Sequence, residues 1–356
     1  MRRGPSLRRP VACSLGGTPL TRGTSTTHSV LLASFGAAPF SAAEARDAGI
    51  TRRRLQGAVS AGKIRHLGRL LYVATEPDPQ QALLRMQRDL RERGISAVVG
   101  GRSAAEVWGI PVLGRSGLPP SEATFWVPPG TTRPGTRHGQ RLSQGRITDE
   151  DVVTLPTGLV VTSPLRTAVD VVRLARLPRH FGLASLNAGM RAVIAERLGC
   201  SPTDAGLITE SAQRREVRES TLAALNAVID ECPRWGMSAV RACLPWLDPR
   251  IETALESLSW GRFLDVGVPM PTPQAWLQGA SGRWWRVDFW WEDLGIIGEA
   301  DGMLKYRSPR DLADEKARQL DLEAPGRSLY RWGWDHVIRD ADPVMALLFS
   351  RLRAAA

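Results

Sequence analysis

Residues 286–306 read RVDFWWEDLGIIGEADGMLKY. Two short apolar runs, 287–291 and 294–300, flank the charged pair Glu292–Asp293, the pattern of two adjacent antiparallel strands and the turn between them. Asp288 sits inside the first run, Glu299 inside the second and Asp301 just beyond it. Because side chains alternate along a strand, Glu299 and Asp301 share a face, and a hairpin partner brings Asp288 beside them. Three carboxylates gathered in this way repel one another and take up protons unless a hard divalent cation neutralises them, and oxygen ligands are what Mg²⁺ accepts. A metal site of Asp288, Glu299 and Asp301, for Mg²⁺ or Mn²⁺, is therefore one reading. The other is a sheet edge that carries charge to discourage association.

Around this stretch, residues 248–356 read as one ordered set. A helix over 251–264 and a strand near 273–277 precede it; a helix over 309–322, a strand over 329–334 and a closing helix over 343–353 follow. The order is α-β-β-β-α-β-α. Ser308–Pro309 with Asp311 in the first turn, and Asp342–Pro343, are good helix starts. Ten of the twelve tryptophans fall between Trp235 and Trp334, a large apolar content for one unit. The adjacent pairs Trp284–Trp285 and Trp290–Trp291 send one ring to each sheet face, which predicts core on one side and helix cover on the other rather than base stacking.

Upstream, residues 201–247 read as a helical spacer, with Leu222, Leu225, Val228 and Ile229 at helical spacing and breaks at Pro233 and Pro245. Residues 76–200 are mixed α/β: a helix over 78–93, strands over 121–127 and 151–161, and a helix over 163–177 with Pro164 in its first turn. In residues 29–75, Ser41 caps a short helix ending near Gly49, Thr51 caps a second carrying Leu55 and Val59, and 64–73 forms a small hairpin turning at Leu67–Gly68. Helix, turn, helix, wing is the order. Arg52, Arg53, Arg54, Lys63, Arg65 and Arg69 stand there without an acid between Ala48 and Thr75, a surface suited to the backbone of a DNA duplex. Residues 1–28 hold five arginines and no acid among Gly, Pro, Ser and Thr, the composition of a disordered basic tail or of a transit peptide.

The chain has 356 residues, 43% hydrophobic and 23% charged, enough for more than one core and unlike a disordered protein. Its net charge of +11 favours a polyanionic partner. Four cysteines without a CxxC pair and five scattered histidines make no zinc framework and suit reduced thiols in a cytoplasmic setting. No apolar run is long enough to span a bilayer, so no membrane partner is expected.

Two resemblances bear on function. The segment SAAEARDAGITRRRLQGAVSAGKIRHLGRLLYVA resembles the winged helix-turn-helix that opens abortive-infection type IV antitoxins of the AbiEi kind, and AVVGGRSAAEVWGIP, TFWVPPGTTRPG and DVVTLPTGLVVTSPLRTAVDVVRLA are similar to later blocks of that family, over about residues 39–195. The resemblance implies operator binding. DPRIETALESLSWGRFLDVGVPMPTPQ, VDFWW and GEADG resemble the branch of the PD-(D/E)XK restriction-endonuclease-like fold related to very-short-patch-repair endonucleases, over about residues 248–353. That resemblance lays a helix acid on Glu256, a strand Asp on Asp288 and the closing acidic pair on Glu299 and Asp301. It implies metal-assisted phosphodiester hydrolysis. Where the usual motif ends Glu-x-Lys, this chain has Glu299-Ala300-Asp301. Lys305 is the obvious replacement, with Lys316 and Arg318 on the following helix as others.

Two expectations follow. The first is a DNA-binding, Mg²⁺-dependent endonuclease acting in defence or repair. The alternative is a non-enzymatic antitoxin and transcriptional repressor, with a cognate toxin protein as partner and a degenerate nuclease fold.

Overall fold

The computed structural model describes residues 21–354 apart from 70, 114–121, 138, 302–308 and 340–341. Lys305 and the arginines expected in the tail before residue 21 lie outside the described residues. The protein is mixed α/β with three sheets, and it divides into two compact units, through Met86 and from Gln87 onward. The boundary falls inside the Pro79–Glu92 helix, and those expected at 200 and 247 lie inside the second unit.

In the first unit, Ser41 caps the Ala42–Asp47 helix and Thr51 the Arg52–Ser60 helix, as expected, and Glu44 closes a reciprocal capping box with Ser41. Strands Phe40–Ser41, Leu71–Val73 and Arg65–Gly68 form an antiparallel sheet in that order. Gly68 pairs with Leu71, so the hairpin turns later than Leu67–Gly68. The expected tail is corrected over residues 21–28: Thr21–Phe35 is a helix. Leu31 joins the core of Phe40, Leu55, Ile64 and Tyr72, and His28 Nε2 lies 2.9 Å from the Ala74 carbonyl oxygen. Tertiary packing supplies what a Ser/Thr-rich segment lacks in helix propensity.

The second unit holds a six-stranded mixed sheet, in the order 135–137, 140–144, 123–127, 98–99, 160–162 and 152–154. Beneath it, Arg166 bonds Asp151 at 2.6 Å and Asp170 at 3.1 Å, and Arg173 bonds Asp170 at 2.7 Å. All four are buried. Opposite charges and complete hydrogen bonding are what make such burial tolerable.

The Arg179–Leu198 helix packs along the Ala254–Val266 helix, and a Cβ on Gly261 would fall 2.4 Å from that of His180. Only glycine permits that approach. The Ala254–Val266 helix in turn covers a four-stranded sheet ordered 272–278, 284–291, 296–300 and 328–332, with the last strand parallel to its neighbour. Phe263 meets Phe289 and Trp291 edge-on at 5.2 Å and Trp332 at 5.9 Å. A separate cluster of Leu277, Val287 and Ile297 packs on Leu322 of the Pro309–Glu323 helix. Among the described residues no helix is long and apolar enough to cross a membrane.

Candidate active site

The four strands place one polar residue each in a row across the sheet. Phe289 pairs with Gly298, so Asp288 stands opposite Glu299, and Glu299 pairs with Arg331. On the other side, the pairs Pro273–Phe289 and Ala275–Val287 bracket Gln274 against Asp288. Gln274 has φ +53°, a left-handed conformation that costs a side-chain-bearing residue about 1 kcal/mol. That backbone turns its amide onto two acids: Gln274 Nε2 donates to Glu256 Oε2 at 2.9 Å and to Asp288 Oδ1 at 3.1 Å.

Glu256 comes from the first turn of the Ala254–Val266 helix, which Thr253 caps through the Glu256 amide. Its Oε2 also accepts from the Glu252 amide at 2.9 Å. The second Asp288 oxygen accepts from the Ala300 amide at 2.9 Å. Glu256 and Glu299 are buried and Asp288 is half-buried. Burial, then the negative charge of Glu256, holds the Asp288 carboxyl well above the usual carboxylate range; burial likewise raises Glu256. The expected helix acid and the first strand acid, Glu256 and Asp288, meet on the Gln274 amide, while Glu299 stands across from Asp288 on the neighbouring strand.

Glu299 is held by arginines instead. Both its oxygens are engaged by Arg318, at 2.5 and 3.0 Å, and Arg331 lies 3.2 Å from Oε2. Glu315 bonds both arginines. Asp301 sits 3.8 Å from Arg331 Nε, and burial followed by the Glu299 charge raises its carboxyl. Glu252 forms a wall of the site, bonded to Arg286 at 2.9 Å and to Thr209 at 2.6 Å. Lys316 is exposed on the Pro309–Glu323 helix.

Glu256 and Asp288 offer the oxygen donors that a hard cation takes, and their raised carboxyls mark a negative charge in need of neutralisation. Glu299 as it stands offers none, because its charge is met by guanidinium. Among the described residues no three His, Cys, Asp or Glu side chains form a ready metal cage.

Sequence reasoning missed Gln274 and Arg331 and named Arg318 only as a substitute for lysine. A single Gln near the start of the 272–278 strand is a weak signal, and no local pattern aims Arg318 or Arg331 at an acid 19 or 32 residues away. The tryptophan expectation also needs correction. Trp291 and Trp332 are core residues, but Trp284 is 58% exposed and Trp276 57%. Trp285 bonds Asp321, which leaves its neighbour Trp284 on the uncovered face.

In the first unit, Arg52, Arg53, Arg54, Lys63, Arg65 and Arg69 are all exposed. Arg65 is paired with Glu76 at 3.0 Å.

No protein-family model matches the chain. Over 199 residues it is 30% identical to two proteins of Mycobacterium tuberculosis, the uncharacterized protein MT2308 of strain CDC 1551 / Oshkosh and the uncharacterized protein Rv2248 of strain ATCC 25618 / H37Rv. The match covers 56% of this chain and 64% of each relative, so the chain spans a little under two thirds of the curated relatives it matches.

Proposed function

We propose that the chain is a DNA-binding protein whose second unit carries a restriction-endonuclease-like site that hydrolyses phosphodiester bonds. The observation that carries this reading is the meeting of Glu256 and Asp288 on one Gln274 amide, with Glu299 opposite Asp288. The helix-strand order around these acids supports the same reading. A winged-helix assignment of the first unit rests on the capped helix pair, the following hairpin and the exposed arginines at the second helix start.

Glu256 and Asp288 would hold Mg²⁺ or Mn²⁺. Such an ion polarises the scissile phosphate and acidifies a bound water. Asp288 is fixed for this task by the Ala300 amide, and Gln274 keeps Glu256 beside it. Arg318 and Arg331, held on Glu299 across from Asp288, bring the positive charge that the motif usually takes from lysine and would offset the negative charge that develops on the phosphate oxygens.

The test is incubation of the purified chain with supercoiled plasmid and Mg²⁺ or Mn²⁺, beside the Asp288→Asn variant. Nicking by the wild type alone is expected; equal nicking by the variant would refute the assignment.

One observation favours the second reading, a repressor that binds its operator and a toxin protein without cleaving DNA. The two arginines satisfy Glu299 with no metal at all. Operator shift without cleavage under any divalent cation would favour it.

A further inference from the structure

The hairpin that supplies Gln274 and Asp288 also presents two tryptophans to water. Trp276 pairs with Arg286, and Gln278 with Trp284, so all four side chains stand on one face and the two indoles are diagonal neighbours. Each is more than half exposed. Large aromatic surface left in water beside a polar site is the feature that marks a binding surface rather than a core.

Between this face and the Ala205–Ala212 helix lies a cavity of about 680 Å³, lined by Leu207, Thr209, Glu210, Gln213, Trp276 and Arg286. It shares its wall with the acid site. Gln213 Nε2 donates to the Gln274 carbonyl at 3.1 Å, and Thr209 and Arg286 both bond Glu252. Arg286, opposite Trp276, brings a guanidinium to this face; at the end of the hairpin Arg283 sits over the Trp285 ring at 4.0 Å, and Arg327 donates to the Gln278 carbonyl at 2.9 Å.

We infer that Trp276 and Trp284 form a stacking platform for unpaired nucleotides, which rests on the proposed nuclease reading and names its substrate as nucleic acid single-stranded next to the scissile phosphate. Exposed indoles beside the Arg286 guanidinium match what unpaired nucleotides offer, a π-face on every base and a charge on every phosphate. Paired bases inside a duplex keep their faces stacked on one another. Glu210 and Gln213 supply an acceptor and an amide for the edge of a base that enters the cavity, while Arg283, Arg286 and Arg327 favour the backbone.

The test uses the full chain in EDTA, so that no chemistry is needed, and follows fluorescence anisotropy of a labelled oligothymidylate and of a labelled duplex. Trp276→Ala and Trp284→Ala are each expected to weaken single-strand binding roughly tenfold, within the range that base–aromatic stacking supplies, and to leave duplex binding unchanged. Trp276→Phe keeps a ring and is expected to retain most of the affinity. Unchanged single-strand binding in both alanine variants overturns the inference, as does equal loss on both substrates. Failure of the wild type to bind the oligothymidylate also overturns it, and would assign the patch to a protein partner. Plasmid nicking without tryptophan-dependent binding would remove the platform and leave the nuclease reading standing; tryptophan-dependent binding without nicking would do the reverse.

Discussion

Replacing Arg318 by methionine removes the two contacts it makes to Glu299, one to the Arg286 carbonyl at 3.0 Å and one to Glu315 at 3.2 Å. The paired side chains are 18% and 6% exposed, so little water replaces what is lost. Breaking a buried ion pair from one side costs about 3–5 kcal/mol. Because Arg331 stays on Glu299 and the Arg318 end is not fully enclosed, about 2–3 kcal/mol is expected here. Urea unfolding followed by tryptophan fluorescence reads this, and Glu299→Gln together with the double variant completes a cycle. A coupling energy of about 2 kcal/mol is expected. Single losses that sum to the double within about 0.5 kcal/mol would refute the pairing. The cycle has a second readout. With Arg318 gone, Glu299 Oε1 loses its partner while Arg331 stays on Oε2, so Mg²⁺ should stabilise the Arg318→Met protein more than the wild type.

Further expectations concern the acids, the strained backbone and the basic surface. Asp288 and Glu256 both have raised carboxyls, so their contribution to stability is present at low pH and is lost as pH rises through the raised values. Asp288→Asn should therefore be the more stable protein at alkaline pH, by about 1.4 kcal/mol for each unit by which folding raises the carboxyl, and lose that advantage as pH falls to the ordinary carboxylate value of 3.8; urea midpoints across the range check it, and an advantage independent of pH would contradict it. At Gln274, where φ is +53°, glycine should be more stable than alanine by about 1 kcal/mol, because only glycine adopts that backbone freely. Equal unfolding midpoints would show that the strain is absent. For Arg52, Arg53 and Arg54, each alanine substitution at a phosphate contact should reduce the slope of log affinity against log salt for duplex DNA by about 0.9. An unchanged slope in the triple variant would take this surface out of DNA binding.

Local signals were legible in the sequence. Ser41 and Thr51, each before a helix, and two apolar runs broken by Glu292–Asp293 each specify geometry within a few residues, and the structure has the corresponding caps and strand pair. Cross-strand proximity of Asp288 and Glu299 was legible for the same reason, since alternation and one hairpin decide it. Contacts between distant elements were not. Arg318 reaches Glu299 from the Pro309–Glu323 helix, and Arg331 reaches it through parallel strand pairing. The Thr21–Phe35 helix has neither an acidic first turn nor a basic last turn, so nothing short of its packing announces it. Adjacent tryptophans say that one ring goes to each face of a sheet. They do not say which face is covered, and Trp284 is on the open one.

Cation binding tests the central claim more directly than cleavage does, because it needs no knowledge of the target sequence. Calorimetric titration of Mn²⁺ into the full chain at mildly alkaline pH, where Asp288 and Glu256 are most readily ionised, is expected to show a binding event that Asp288→Asn abolishes. Wild-type protein that binds no Mn²⁺, or a variant that binds it equally well, would contradict the account.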